Sequence, residues 1–167
     1  MKHLDWCTHI QFLEDRDILT RRSFDVNMRL FHQNLSYQNI IKQCCAHIEF
    51  SAIEKKEGYK KPHGWSGANA GIPFNIISVL DEAEFPLTMI NPRIVWCGGD
   101  LNEVYTNCGS LTLEVPRKVF RWEFIDVEFF DIEGNKQRLT AVPKVPGYTI
   151  QHEIDHTQGC LINANSG

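Results

Sequence analysis

Toward the end of the sequence, Gln151-His152-Glu153-Ile154-Asp155-His156 sets two histidines four residues apart around a glutamate. On an α-helix, residues i and i+4 lie one turn above each other on the same face, so His152 and His156 can present two imidazole nitrogens to one cation. Glu153 follows the first of them, about 100° further round the helix, so its carboxylate flanks that cation without capping it. The chemistry this suits is activation of water at a divalent metal, with Glu153 as general base and then general acid. Two imidazoles leave a third protein ligand to be found elsewhere.

That ligand must come from upstream. Zinc endopeptidases with this motif commonly take it from a downstream Glu or His, and residues 157–167 contain neither. Cys108 stands out, because Thr106-Asn107-Cys108-Gly109-Ser110-Leu111 is polar and turn-like, a place where a thiolate can be held at a cleft. Cys97 and Cys160 compete, although they sit among apolar or terminal residues.

The elements that must position these groups are legible as periodicity. From Ser36, taken as the cap, Ile40, Ile41, Cys44, Cys45, Ile48 and Ile53 recur at three- and four-residue spacing, which predicts an amphipathic helix near the N-terminus. Cys44-Cys45 on its apolar face reads as packing rather than redox chemistry. Residues 54–62 form a charged connection, for which a ribosome or RNA contact is the sharper reading and a solvated loop the plainer one. Small residues at 63–71 run into a strand at 76–80. Short strands are expected at 87–90, closed by Asn91-Pro92, and at 93–96, with Gly98-Gly99-Asp100 as a turn. Period-two alternation over 122–132 puts Ile125, Val127 and Phe129 on one face, and Glu133-Gly134-Asn135 turns the chain into a strand at 137–142. Pro146-Gly147 leads into the histidine helix and Gly159 ends it. Residues 1–35 show no clean period and suggest no chemistry. The class is α+β, with mostly antiparallel strands around a C-terminal metal-binding helix and an N-terminal amphipathic helix.

The 167 residues fit one domain over 1–167, with 43% hydrophobic and 23% charged residues as in soluble globular chains. A net charge of −4 offers no basic field for DNA. Neither a signal-peptide core nor an apolar run near the ~18 residues of a membrane span is present, so a cytoplasmic location is expected, with the six cysteines as free thiols or metal ligands.

Three segments in order resemble the peptide deformylase family. Gln151-His152-Glu153-Ile154-Asp155-His156-Thr157-Gln158-Gly159 matches its Gln-His-Glu-x-Asp-His-x-x-Gly; Asn107-Cys108-Gly109-Ser110 matches Glu-Gly-Cys-Leu-Ser in its cysteine and serine; Gly64-Trp65-Ser66-Gly67-Ala68-Asn69-Ala70-Gly71-Ile72-Pro73 matches Gly-Leu-Ala-Ala-Pro-Gln-x-Gly-x-Pro. The similarity spans about residues 40–162. It is also similar to short members of the kind found in bacterial viruses or organelles, which would place it in a host cytoplasm.

The resemblance implies a metal-dependent hydrolase of protein biosynthesis, removing the formyl group from N-formylmethionyl nascent chains and releasing formate. It implies Fe²⁺ or Zn²⁺ held by Cys108, His152 and His156, Glu153 as proton carrier, and an oxyanion held by the Gly109 N–H and the amide of Asn69. Asn69 stands where the family has Gln, one methylene longer. Thr106 replaces the family's Glu, a partner for the arginine matched by Arg121, so Arg121 needs another acceptor and Asp155 is the expected one. Gln151 belongs to the same supporting set. For substrate binding the matching positions are Gly64, Trp65 and Tyr148, the two rings lining or lidding a methionine pocket unless they are simply core. Three other readings stand beside this: a chance pair of helical histidines, a zinc endopeptidase, and an inactive relative that binds nascent chains.

Overall fold

A computed structural model of the chain describes residues 21–54, 64–81, 83–106 and 117–160. Two helices come first. Asn27 starts α1 (Met28–Gln33), its side chain accepting the Leu30 N–H at 3.1 Å. Asn34 starts α2 (Leu35–Ile53) in the same way, accepting from the Tyr37 N–H at 2.9 Å. The cap is therefore Asn34 rather than Ser36, which lies inside the first turn. Ile41, Cys45, Ile48 and Ala52 form the buried stripe of α2, while Ile40 and Ile53 are exposed. Capping by Asn34 satisfies an N–H that the helix itself leaves unpaired.

Five strands follow: β1 (Gly64–Ser66), β2 (Ile76–Leu80), β3 (Pro86–Thr106), β4 (Arg117–Phe130) and β5 (Lys136–Val142). They pair antiparallel in the order β1-β2-β3-β4-β5. β2 is buried along its whole length because both faces of the sheet are covered there. Alternation sends Ile76 into a cluster with Phe31, Ile41, Ile48 and Ile90 under α2. It sends Ile77 and Val79 into a second cluster with Met89, Ile125, Val127 and Phe129 under the last helix.

The expected short strands at 87–90 and 93–96 are one strand. Asn91 and Gly99 take positive φ (53° and 73°), and the register with β4 shifts at Ile90/Arg93, Ile94/Trp96 and Gly98/Leu101. The residues that read as turns are accommodated as bulges, which bend a strand without ending it. A Cβ on Gly98 would collide with the Trp96 ring, which lies over it. The hairpin after β4 does form at the expected place. Gly134 has φ 85°, and its N–H and those of Glu133 and Asn135 all donate to Asp131.

The final helix α3 (Lys144–Thr157) contains Val145 in an extended conformation and runs regularly after it, turning Ile150 and Ile154 into the second cluster. Gly159, at φ 76°, ends it: its N–H reaches the His156 carbonyl and the Cys160 N–H reaches that of Asp155. This double closure satisfies the last carbonyls and needs a residue tolerant of positive φ. Residues 23–26, unread in the sequence, form a strap. Asn91 brackets Val26, accepting its N–H at 2.7 Å and donating to its carbonyl at 2.9 Å. The Ser23 N–H donates to the Thr157 carbonyl at 2.8 Å.

Candidate metal centre

His152 and His156 stand one turn apart on α3, their Nε2 atoms 3.1 Å from each other and their rings edge to face. Burial pushes the His152 ring down to about 4, aided by the Arg121 guanidinium. The same burial, with His152 and Arg121 adding to it, pushes His156 down to about 3. Both are therefore neutral at neutral pH, the form that coordinates a cation. Two nitrogens bound to one tetrahedral zinc at its usual bond length lie about 3.3 Å apart, so the observed separation is close to what an ion between them needs.

Glu153 is 5% exposed, and its Oε2 has no hydrogen-bond partner among the described residues. Burial raises its carboxyl to about 8, with the Asp155 charge adding to the rise and Arg121 opposing it. A buried carboxyl with an idle oxygen, beside two neutral imidazoles, is an environment complementary to a positive ion. The donor set present thus fits a divalent metal. Among the described residues no third His, Cys, Asp or Glu joins the pair. Cys97 sits in β3 opposite Ile125 against the apolar cluster, and Cys160 is exposed beyond the helix end. Cys108 and Gly109 lie outside the described residues.

The first small-residue segment lies against the helix. Gly64 opens β1 so near α3 that a Cβ there would come within 2.7 Å of Thr149 Cγ2 and 2.9 Å of Glu153 Cγ. Only a glycine lets the strand approach the glutamate this closely. Asn69, in a 3-10 turn over Ala68–Ala70, is buried, and its Oδ1 accepts from the Ser66 N–H at 2.9 Å and from the Ser66 hydroxyl. Because a backbone N–H can only donate, this contact fixes which end of the amide is oxygen. Trp65 is half-buried and packs against the cluster under α2, and Tyr148 is half-buried in the first part of α3.

Behind the histidines, Arg121 is nearly buried and pairs with Asp155 at 2.8 Å. Burial raises the Asp155 carboxyl, while Arg121 pulls it back. Gln151 is buried and bonds the backbone of Trp122. Ser66, Thr149 and the Trp122 backbone are members of the site that sequence reasoning did not single out. The one available signal was the serine three residues before Asn69.

A family model described as polypeptide deformylase matches residues 38–165. A peptide deformylase of Brachyspira hyodysenteriae is 37% identical over 50% of this chain and 46% of its own length. One from Chloroflexus aurantiacus is 32% identical over 59% of this chain and 60% of its own. The chain thus spans about half the length of these curated relatives. In three dimensions it resembles a crystal structure of a peptide deformylase from Synechococcus elongatus in complex with actinonin, with TM-score 0.69 and 28% identity over 91% of this chain and 76% of the other.

Proposed function

Since the chain belongs to the polypeptide deformylase family, a family of metalloenzymes, we propose that it removes the formyl group from the N-terminal formylmethionine of nascent polypeptides. The observation that carries this reading is the convergence of two neutral imidazoles on one point beside a buried glutamate. His152 and His156, with Cys108, would hold one Fe²⁺ or Zn²⁺. A bound cation of this kind would polarise the formyl oxygen and lower the pKa of a water at its open position.

The chain's own groups do the rest. Glu153 takes the proton from the attacking water and returns it to the leaving amine as the formyl C–N bond breaks, giving formate and a free N-terminus. Burial raises this carboxyl, and a cation beside it would draw it back toward the carboxylate that accepts the proton. Asn69 and the Gly109 N–H donate to the developing oxyanion. Gly64 keeps β1 close to the glutamate and Tyr148 borders the methionine side chain, while Trp65, turned toward the cluster under α2, serves the core. The proposed setting is the cytoplasm of the cell or of a viral host, with residues 54–62 as a ribosome contact. Among the described residues no helix is long and apolar enough to cross a membrane.

The test is formate release from formyl-Met-Ala by protein reconstituted with Zn²⁺ or Fe²⁺. Metal-dependent formate with unformylated peptides left intact is the expected result. Cleavage of internal peptide bonds without formate would replace this reading with an endopeptidase. Binding of the formyl peptide without turnover would replace it with an inactive binder.

A further inference from the structure

At Trp122 the edge of β4 has lost its neighbour, because β5 pairs with β4 only from Ile125 onward. The Trp122 N–H donates to Gln151 Oε1 at 2.9 Å, and the Trp122 carbonyl accepts from Gln151 Nε2 at 3.0 Å. One side chain thus meets both backbone groups that a continuing strand would have met. Trp122's neighbour in β4 grips the same helix one turn further along: Arg121 Nη1 lies 2.8 Å from Asp155 Oδ2, with the arginine side chain 10% exposed. The anchored residues 151 and 155 are each followed directly by one of the two histidines. The spacing of the anchors is the spacing of the imidazoles.

Two ligands on one helix keep their mutual distance however that helix moves as a body. A third ligand from another element is different, since a roll or slide of α3 carries both imidazoles away from it. Residue 108 lies in the connection between β3 and β4, and β4 is the strand to which α3 is clamped.

We propose that Gln151 is a positioning residue whose two-point amide bridge to the Trp122 backbone, with the Arg121–Asp155 pair one turn on, fixes α3 against the β3–β4 hairpin before a cation arrives. This rests on the metal-dependent reading above and deepens it. The clamp sets the metal affinity of the centre without touching metal or substrate.

The test uses the full chain and three readouts: hydrogen exchange at the Trp122 amide, Zn²⁺ affinity by competition with a chromophoric chelator, and the absorption of the Co²⁺-substituted protein. Gln151→Met keeps the length and removes both hydrogen bonds to Trp122, together with the longer one from Nε2 to the Gly147 carbonyl at 3.3 Å. Gln151→Glu keeps an acceptor for the Trp122 N–H and removes the donor. The Met variant is expected to lose protection at Trp122, to bind Zn²⁺ about tenfold to a hundredfold more weakly, and to show an altered Co²⁺ band, with a smaller affinity loss for the Glu variant. A role in folding alone would lower the melting temperature of the metal-free protein and leave affinity and spectrum unchanged, and that result overturns the inference. If the Met variant does not fold, wild-type affinity in the Glu variant overturns it equally. Failure of the wild-type chain to bind Zn²⁺ would instead remove the metal-dependent reading, and the clamp's role with it.

Discussion

Helix α2 meets its face of the sheet through Ile41, Cys45, Ile48 and Ala52, whereas α3 meets the other face through Ile150 and Ile154 and also buries Gln151, Glu153, His156 and Thr157. The first contact is apolar burial, favourable at any pH and satisfied as it stands. The second encloses a carboxyl and two imidazoles whose charged forms burial disfavours. One helix stabilises the fold; the other holds groups whose burial costs stability, an arrangement that a bound cation would offset. The difference separates what keeps the chain folded from what lets it react.

The sharpest way to break this division is Glu153→Ala. On the α3 side it should lower kcat for formate release by about a hundredfold to ten-thousandfold, the range for a general acid–base group. Zn²⁺ binding should survive, as a chelator competition would show; normal turnover would end the assignment of Glu153 as proton carrier. Ile48→Ala, on the α2 side, should cost about 2–5 kcal/mol of unfolding free energy and leave kcat of the folded fraction unchanged. A denaturant titration paired with the formate assay reads both, and an activity loss without a stability loss would show that the two sides are not separate. Gly64→Ala joins the regions, since its new methyl would meet Thr149 and Glu153. It should cost about 1–3 kcal/mol by overpacking and slow turnover about tenfold to a hundredfold by shifting the glutamate, measured by melting and kinetics together.

The smallest effect is in the pH dependence of the metal-free protein. The two histidines have folded values depressed from 6.5 to about 4 and about 3, so their contribution is intact above pH 6.5 and is lost as pH falls below it. Glu153 has a folded value raised from 4.5 to about 8, so its contribution is intact below pH 4.5 and is lost as pH rises toward 8. Between pH 4.5 and 6.5 two imidazoles outweigh one carboxyl. For these three groups, stability peaks near pH 6.5. Melting curves across pH should show that maximum, and Zn²⁺ should flatten the alkaline limb because a nearby cation favours the carboxylate. A metal-free protein most stable above pH 8 would contradict the burial of Glu153.

What could be read in advance was whatever repeats along one element. The four-residue histidine spacing, the alternation at Ile125, Val127 and Phe129, and the glycine that ends α3 each follow from the geometry of a single helix or strand. Periodicity makes the stripe of α2 one position too wide at each end, because Ile40 and Ile53 are apolar but face solvent while Ala52 is buried. Asn91 and Gly98-Gly99 looked like chain reversals, and local composition cannot tell a reversal from a bulge when β4 runs alongside to hold the register. The strap at Val26 and the bridge from Gln151 to Trp122 left no trace in the sequence. Each joins a side-chain amide to a distant backbone, and such a pairing has no period.

The strap has a further consequence for how the molecule comes into being. Ser23 and Thr157 sit near opposite ends of the described chain, yet one hydrogen bond joins them. That closure, and the two imidazoles next to it, form only after residue 157 has been made and has left the ribosome. A chain that stops before α3 lacks both imidazoles and Glu153, so competence arrives as one step, with that helix, rather than by degrees.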